Sequence, residues 1–408
     1  MNLSFIESET PYFNFAYQGS RSEQKEWDYE AIFDLLVSCF HNKDVSDIYL
    51  AHDAPIIIQV SGDNYIANLN NTESLPEMLE VDSEVLENFY ERNHNLVTQL
   101  TKQRKSSSGN LVLKPASGEK IRFRLEGMRW SNGPAVEGND VCLRPLRPPT
   151  LLKDLNVSEF SKRIVNVKEG IVFVNGPTGS GKSTYLAAIL VERSLLWRDM
   201  IYTAEDPCEY DMQNIRNQIG FIKQHDANND STGGFAACLK SFLRKHPKAI
   251  LLGEMRDQES VKYGILTAKT KHQLFTTLHC DRPWQIYERL LDEMPDSVKS
   301  STFRDLIEYS GAIVSQRLIK TSIAGTIAIQ DVFYFTENDK LMLVEAAQSS
   351  FKSNGDFSGF GYKFIEIFKE KCDKGEALSM SRNLKEHYDN GKMTEEEYTK
   401  ILSSMQII

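Results

Sequence analysis

The spacing of apolar residues changes period several times along the chain, and each change marks an element. From Tyr29 to Phe40, YEAIFDLLVSCF recurs at helical spacing; SDIYLAHDAPIIIQVSGDNYIANL then alternates and breaks at Gly62-Asp63-Asn64, which predicts a hairpin. A second helical stretch around 83–100 leads into TKQRKSSSGN (101–110), basic and polar, expected as a flexible loop. KIRFRLEGMRW and DVCLRPL read as strands that complete a small α+β domain over 27–144. Residues 1–26 have no clear period and read as an arm.

The proline-rich RPLRPPT (144–150) interrupts the pattern, because proline fixes φ and cannot donate a hydrogen bond; it places a linker at 145–150. Beyond it, GIVFVNG (170–176), DMIYTAED (199–206), KAILLGE (248–254) and HQLFTTLH (272–279) are short apolar runs separated by helix-like stretches. That alternation predicts an α/β domain over 151–335 whose mostly parallel sheet is buried on both faces. From about Asp331 the pattern turns helical and charged, giving a C-terminal helical region over 336–408, where Thr394 and Glu397 have capping-box spacing after Asn390-Gly391.

Composition narrows the class. The 408 residues carry 47 Lys+Arg against 57 Asp+Glu, a net charge of −10 that argues against a surface built mainly for nucleic acid. The six cysteines are scattered with no C-x-x-C pair, so neither a zinc knuckle nor a disulfide framework is indicated, and a reducing cytoplasm is the expected setting. No apolar run approaches the roughly 18 residues of a membrane helix, and MNLSFIESET lacks the basic region of a signal peptide. Membrane association is therefore expected through partners.

The strongest chemical signal is GPTGSGKST: Gly176, Pro177, Thr178, Gly179, Ser180, Gly181, Lys182, Ser183 and Thr184, a match to G-x-x-x-x-G-K-[ST]. A predicted strand precedes it and a predicted helix follows. The glycines would let backbone N–H groups face a triphosphate at the positive end of a helix. Lys182 would reach the β- and γ-phosphates and Ser183 would offer its hydroxyl to Mg²⁺, so ATP and Mg²⁺ are the expected ligands.

Three further blocks fit the same pocket. LLGEMRDQES (251–260) runs an apolar strand into Glu254, Arg256 and Asp257; Glu254 reads as the general base or water-positioning group, or else as a helix-capping carboxylate. TAEDPCEY brings Glu205, Asp206 and Glu209 together after a strand, either to serve the metal or as a solvated acidic turn. KHQLFTTLHC sets His272 and His279 at the two ends of a strand; His279 could report the γ-phosphate, or either could be a satisfied core group.

These four blocks resemble, in order and spacing, the secretion-superfamily motor ATPases, and over roughly 43–335 the PilT-type pilus-retraction motors. VSDIYLAHDAPIIIQVSG and RFRLEG are similar to that family's N-terminal PAS-like domain; VEGNDVCLRPL, SQRL (315–318) and the helical tail are most similar to the DotB and TraJ branch of type IVB secretion and conjugation. The resemblance implies a RecA-like ATPase domain and a cytoplasmic homohexamer. It implies work on the protein components of a membrane secretion or pilus machine, with nucleotide between the two domains. Arg122, Arg124 and Arg144, with Arg129 beside them, match positions that complete such a site, where guanidinium forks meet spreading phosphoryl charge; RFR is also what a strand with a solvated cationic face would show. Arg256 and Arg289 match too, or form ordinary ion pairs.

Two departures stand out: His246-Pro247-Lys248 where relatives have Asp-Pro-Asp, and Lys271 where they have Gly. The tetracysteine module of assembly-type relatives is absent. The expected function is an ATP-hydrolysing motor with Glu254, Lys182, Glu205, His279 and the arginines as its catalytic groups, and with Ser183, Glu205 and Glu209 serving the metal. The alternatives are a nucleic-acid translocase, which the charge disfavours, and a nucleotide-gated docking scaffold. The helices after about residue 336 are the expected docking surface.

Overall fold

A computed structural model describes residues 12–15, 27–52, 54–69, 80–93, 107–131, 137–227, 233–354 and 358–405. It resolves into two compact units, Met1–Arg147 with Glu209–Asp211, and Pro148–Cys208 with Met212–Ile408.

The first unit is built on a seven-stranded sheet. Its strands are β1 (Tyr12–Phe15), β2 (Val45–Ala51), β4 (Ile57–Val60), β5 (Asp63–Leu69), β7 (Ser107–Leu113), β8 (Ile121–Ser131) and β9 (Glu137–Leu146), in the order β1-β5-β4-β2-β9-β8-β7. The short strands β3 (Ala54–Pro55) and β6 (Glu80–Val81) pair separately. Alternation buries Ile48, Ile58, Phe123 and Leu143 on one face, against Ile32, Leu35 and Leu36 of α1 (Tyr29–His41), while α2 (Ser83–Asn93) adds Leu86 and Phe89. Asp28 caps α1 by accepting from the Ala31 N–H. The hairpin falls one residue earlier than its sequence signal: Val60 pairs with Asp63 across Ser61 and Gly62, both at positive φ, as a two-residue turn of primed type requires.

Three expectations change in this unit. The arm contains a strand, β1, laid parallel along β5. The segment read as a loop is already β7 by Ser107, with 101–106 outside the described residues. Likewise α2 is described only to Asn93, and 94–100 lie outside. The linker stretch is also partly structured. β9 runs through Leu146, and Arg147 donates to the carbonyl oxygens of Cys39, Phe40, Asn42 and Val45, satisfying the open end of α1.

The second unit carries an eight-stranded sheet: β10 (Ile171–Asn175), β11 (Met200–Glu205), β12 (Phe221–Asp226), β13 (Ala249–Glu254), β14 (Gln273–Leu278), β15 (Ser310–Thr321), β16 (Gly325–Tyr334) and β17 (Ala377–Leu378). The order is β12-β11-β13-β14-β10-β15-β16-β17, parallel from β12 to β15 and antiparallel beyond. The strand that ends in Glu254 is thus not beside β10; β14 lies between them. Asp331 belongs to β16, so the helical region starts later than its pattern suggested.

Helices α3 (Glu159–Lys162), α4 (Lys182–Leu196), α5 (Gly234–Leu243), α6 (Gln258–Lys269), α7 (Gln285–Asp292) and α8 (Asp296–Glu308) accompany the sheet. They are followed by α9 (Glu337–Asn354), α10 (Ser358–Asp373), α11 (Met380–Asp389) and α12 (Glu395–Ser404). The late helices are not all peripheral. Leu343, Phe360, Phe364 and Phe368 of α9 and α10 enter the same core as Phe173, Leu252, Tyr287 and Phe303. Met380 and Leu384 of α11 and Met393 ahead of α12 form a separate cluster with Ile327 and Ile329, against which Tyr398, Ile401 and Leu402 of α12 pack partly buried. The capping box at Thr394 and Glu397 is present.

Candidate nucleotide site

Between the end of β10 and the start of α4, the chain bends through Gly176, Gly179 and Gly181, at φ 150°, 76° and 79°. At Gly176 a Cβ would sit 2.3 Å from the Gln316 carbonyl oxygen and 2.8 Å from Ser180 Oγ, so only glycine fits. Pro177, Thr178 and Gly179 form the exposed crest. Gly181 caps α4 without any side-chain hydrogen bond, leaving the positive helix end to the backbone. Lys182, only 7% exposed, donates from Nζ to the carbonyls of Gly176 (2.8 Å) and Pro177 (3.0 Å), which holds its ammonium against the inner wall of the bend. Ser180 Oγ is buried with no hydrogen-bond partner among the described residues, and Ser183 and Thr184 are partly exposed on the first turn of α4.

β15 braces this loop. Gln316 Nε2 donates to the Ser180 carbonyl at 2.6 Å, and Ser315 Oγ donates to Asn175 Oδ1 at 2.7 Å. Asn175 Nδ2 in turn donates to the carbonyls of Cys280 (3.0 Å) and Arg282 (3.4 Å), tying the strand end below the bend to the segment that carries His279. Sequence reading missed Asn175 and Ser315. The visible signal was a polar residue closing the apolar run IVFVN.

Glu254 ends β13 opposite Thr277 of β14, and Thr277 lies opposite Val174 of β10. One rung therefore joins the P-loop strand to Glu254, with about 10 Å between the outer backbones at the usual strand spacing. A register shift between Leu252 and Glu254 re-aims the strand end there, and the Thr277 hydroxyl donates to the Gly253 carbonyl. Glu254 is partly exposed at the carboxyl edge of the sheet, the edge where the P-loop begins and where open α/β sheets place ligands. Its charged neighbours do other work. Asp257 is the N-cap of α6, accepting from Ser260 N at 2.7 Å, and Arg256 lies over the Phe235 ring 3.6 Å from Asp206.

His279 follows β14 directly and is exposed in an open cleft of about 510 Å³ with Pro177, Thr178, Asp281, Glu288 and Arg289. Arg289 is paired with Glu293 at 3.0 Å. His272 lies at the opposite strand end, 3.0 Å from Thr270 Oγ1, and burial lowers its pKa; the two histidines do not share a site.

Glu205 ends β11 and is buried. Its Oε1 accepts from Thr203 Oγ1 (2.5 Å), Gln224 Nε2 (3.1 Å) and Cys208 Sγ (3.7 Å). Glu209 is exposed and groups with the first unit. Among the described residues no cluster of three His, Cys, Asp or Glu could hold a metal by itself. The residues still fit Mg²⁺, which keeps several waters and takes most of its remaining ligands from phosphate.

In the first unit Arg124 and Arg144 are direct cross-strand neighbours, and Arg122 shares their face of β8. Like charges side by side need compensation, and each has an acid: Asp211 on Arg122 (3.2 Å), Glu126 on Arg124 (3.1 Å) and Asp47 on Arg144 (2.8 and 3.2 Å). Arg129 is on β8, its side chain outside the description.

The glycine bend, the lysine and the uncapped helix end make a phosphate cradle on a mostly parallel sheet, so the chain is a P-loop ATPase. The profile of the family described as type II/IV secretion system protein matches residues 34–373, and the chain belongs to that family. It is 29% identical to the type IV pilus retraction ATPase PilT of Pseudomonas aeruginosa over 295 residues, 71% of this chain and 79% of that one. Its fold is similar to the solved ATPase DotB of Legionella pneumophila, at TM-score 0.72 and 22% identity over 93% of this chain and 97% of that one. It is also similar to the pilus retraction motor PilT with bound ADP, at TM-score 0.70 and 22% identity over 92% and 97%.

Proposed function

We propose that this protein is an ATP-hydrolysing motor of a type IV pilus or secretion machine, most similar in kind to the type IVB secretion and conjugation branch. In this reading it acts as a homohexamer on the cytoplasmic side of the inner membrane and is held there by protein partners. The observation that supports the proposal is that Glu254 and β10, the strand that leads into the bend holding Lys182, are joined by a single rung at one sheet edge. The PilT relationship supports the motor reading, and among the described residues no helix is long and apolar enough to cross a membrane.

In this reading the backbone of Gly176–Gly181 and Lys182 Nζ bind the phosphates, the carbonyls of Gly176 and Pro177 giving up the ammonium to a phosphate oxygen. Ser183 would hold Mg²⁺, whose positive charge offsets that of the phosphates. Glu205 and Glu209 would support it, Glu205 through its fixed carboxylate. Glu254 orients the attacking water and takes up its proton, His279 contacts the γ-phosphate side from the cleft, and Arg122, Arg124 and Arg144 supply compensating positive charge.

Steady-state turnover of the purified full-length chain, measured with its size in solution and its capture of membrane components, tests this. Turnover lost in Lys182→Ala and a particle of six chains are the expected results. An inactive wild type that binds ATP tightly would replace the motor with a docking scaffold.

A further inference from the structure

Three side-chain amides run from the P-loop to the last strand of the β15–β16 hairpin and on to α11. Gln316 donates from Nε2 to the Ser180 carbonyl at 2.6 Å, and its Oε1 accepts from Gln330 Nε2 at 2.7 Å. The backbone N–H of Gln330 donates to Asn383 Oδ1 at 2.9 Å. All three residues are buried, at 2%, 0% and 0% exposure, so bulk water does not reach them. The first two amides fix each other, since turning Gln316 over would set its oxygen against the Ser180 carbonyl and its NH₂ against that of Gln330, while Asn383 is held by the Gln330 backbone. Gln316 also touches both bends of the loop, since a Cβ on Gly181 would meet its Nε2 at 3.0 Å and one on Gly176 its carbonyl oxygen.

At the α11 end the relay is incomplete. Gln330 Oε1, an acceptor, and Asn383 Nδ2, a donor, are both buried without a partner among the described residues. Unpaired buried groups are costly, and two of opposite character on residues already in contact can satisfy each other after a small shift. α11 is otherwise seated on β16 by Met380 N to Asp331 Oδ1 (2.7 Å) and by His387 Nε2 with the Ala328 carbonyl (3.1 Å).

We infer that the Gln316–Gln330–Asn383 relay couples phosphate at the P-loop to the seat of α11. When the Gly-rich bend closes on phosphate, the Ser180 carbonyl moves and Gln316 follows it. Gln330 then turns, and α11 takes the arrangement in which Gln330 Oε1 and Asn383 Nδ2 are paired. Gln316 is a positioning residue here, because it touches loop backbone and not the reacting atoms. The inference rests on the nucleotide reading of the loop, and the test separates the two.

The experiment is hydrogen exchange on the full-length chain, with and without saturating Mg²⁺ and a non-hydrolysable ATP analogue, beside nucleotide affinity and Tm. In the wild type the amides of 380–389 should exchange at least about threefold more slowly with nucleotide. Gln330→Met, which keeps the chain length and removes the amide, should bind the analogue with a Kd within about threefold of wild type yet show no change at α11. Asn383→Ala, at the other end, should behave alike, so one poorly folded variant does not end the test. A wild type that binds nucleotide with no change at 380–389, or a Gln330→Met that keeps the wild-type change, overturns the coupling. A wild type that binds no nucleotide overturns the functional reading, and the coupling with it.

Discussion

Glu254 and Thr277 face each other across the β13–β14 ladder, and the Thr277 hydroxyl donates to the carbonyl of Gly253, the residue before Glu254. The bulge that aims Glu254 is therefore held by a side chain of the strand between it and the P-loop. Thr277→Val keeps the shape and removes the donor. A lost hydrogen bond of about 1–2 kcal/mol, felt at the proposed water-positioning group, predicts a kcat lower by roughly 5–30-fold with KM little changed. Steady-state kinetics check it, and an unchanged kcat would separate Thr277 from the placement of Glu254.

The glycines of the bend are not equivalent. Gly176→Ala drives a methyl onto the Gln316 carbonyl oxygen, whereas Gly179 has nothing within 4 Å of its Cβ position and only its φ of 76° to strain. Gly176→Ala should therefore abolish nucleotide binding in a fluorescence titration. Gly179→Ala should cost about 1–2 kcal/mol of local strain and weaken binding by roughly 5–30-fold.

Lys271 sits where the family resemblance calls for glycine, and the reason is backbone. After α6 the N–H of Lys271 donates to the Ala268 carbonyl and that of His272 to the Thr267 carbonyl, a Schellman ending with Lys271 at φ 61°. Lys271→Gly relieves about 1–2 kcal/mol of left-handed strain against a smaller loss from a more flexible unfolded chain. Tm should rise by about 1–4 °C. A fall in Tm would assign the side chain a contact that outweighs the strain.

Asp331 is buried beneath α11, and desolvation pushes its pKa up to about 6 against the hydrogen bond from Met380 and the pull of Arg282 and Arg317. A carboxyl whose folded pKa lies above its unfolded value favours folding only when protonated. Its burial thus destabilises the chain fully above about pH 6, and the penalty fades as pH falls towards 3.8, the ordinary aspartate value. Asp331→Asn, which keeps the Oδ1 acceptor, should be more stable than wild type at pH 8, by on the order of 2–3 kcal/mol. The gap should close between about pH 6 and pH 4 in paired thermal melts; a gap independent of pH would contradict the assignment.

Much of the site was legible because phosphate binding imposes a spacing. GPTGSGKST, the strand before it and the helix after it lie where the pattern puts them, and Glu254, Glu205 and His279 each end or follow a strand at the same sheet edge. Strand order was not legible. Apolar runs such as AILLGE and QLFTTL are alike when both faces are buried, so nothing in them says which one neighbours β10. The four-residue strand YFNF is too short for a period to show, and Asp331 reads as a charged break although its carboxyl is buried on β16. Polar residues that brace rather than react, Asn175, Gln316 and Gln330, carry no spacing signature at all; their partners are 53–140 positions away or on the facing strand.

If Lys182 and Glu254 serve one triphosphate, single-turnover hydrolysis by Glu254→Gln will show it. The variant should bind ATP with a Kd within about threefold of wild type and hydrolyse it at least about 100-fold more slowly. Hydrolysis at the wild-type rate would place the water-positioning group elsewhere and contradict the account.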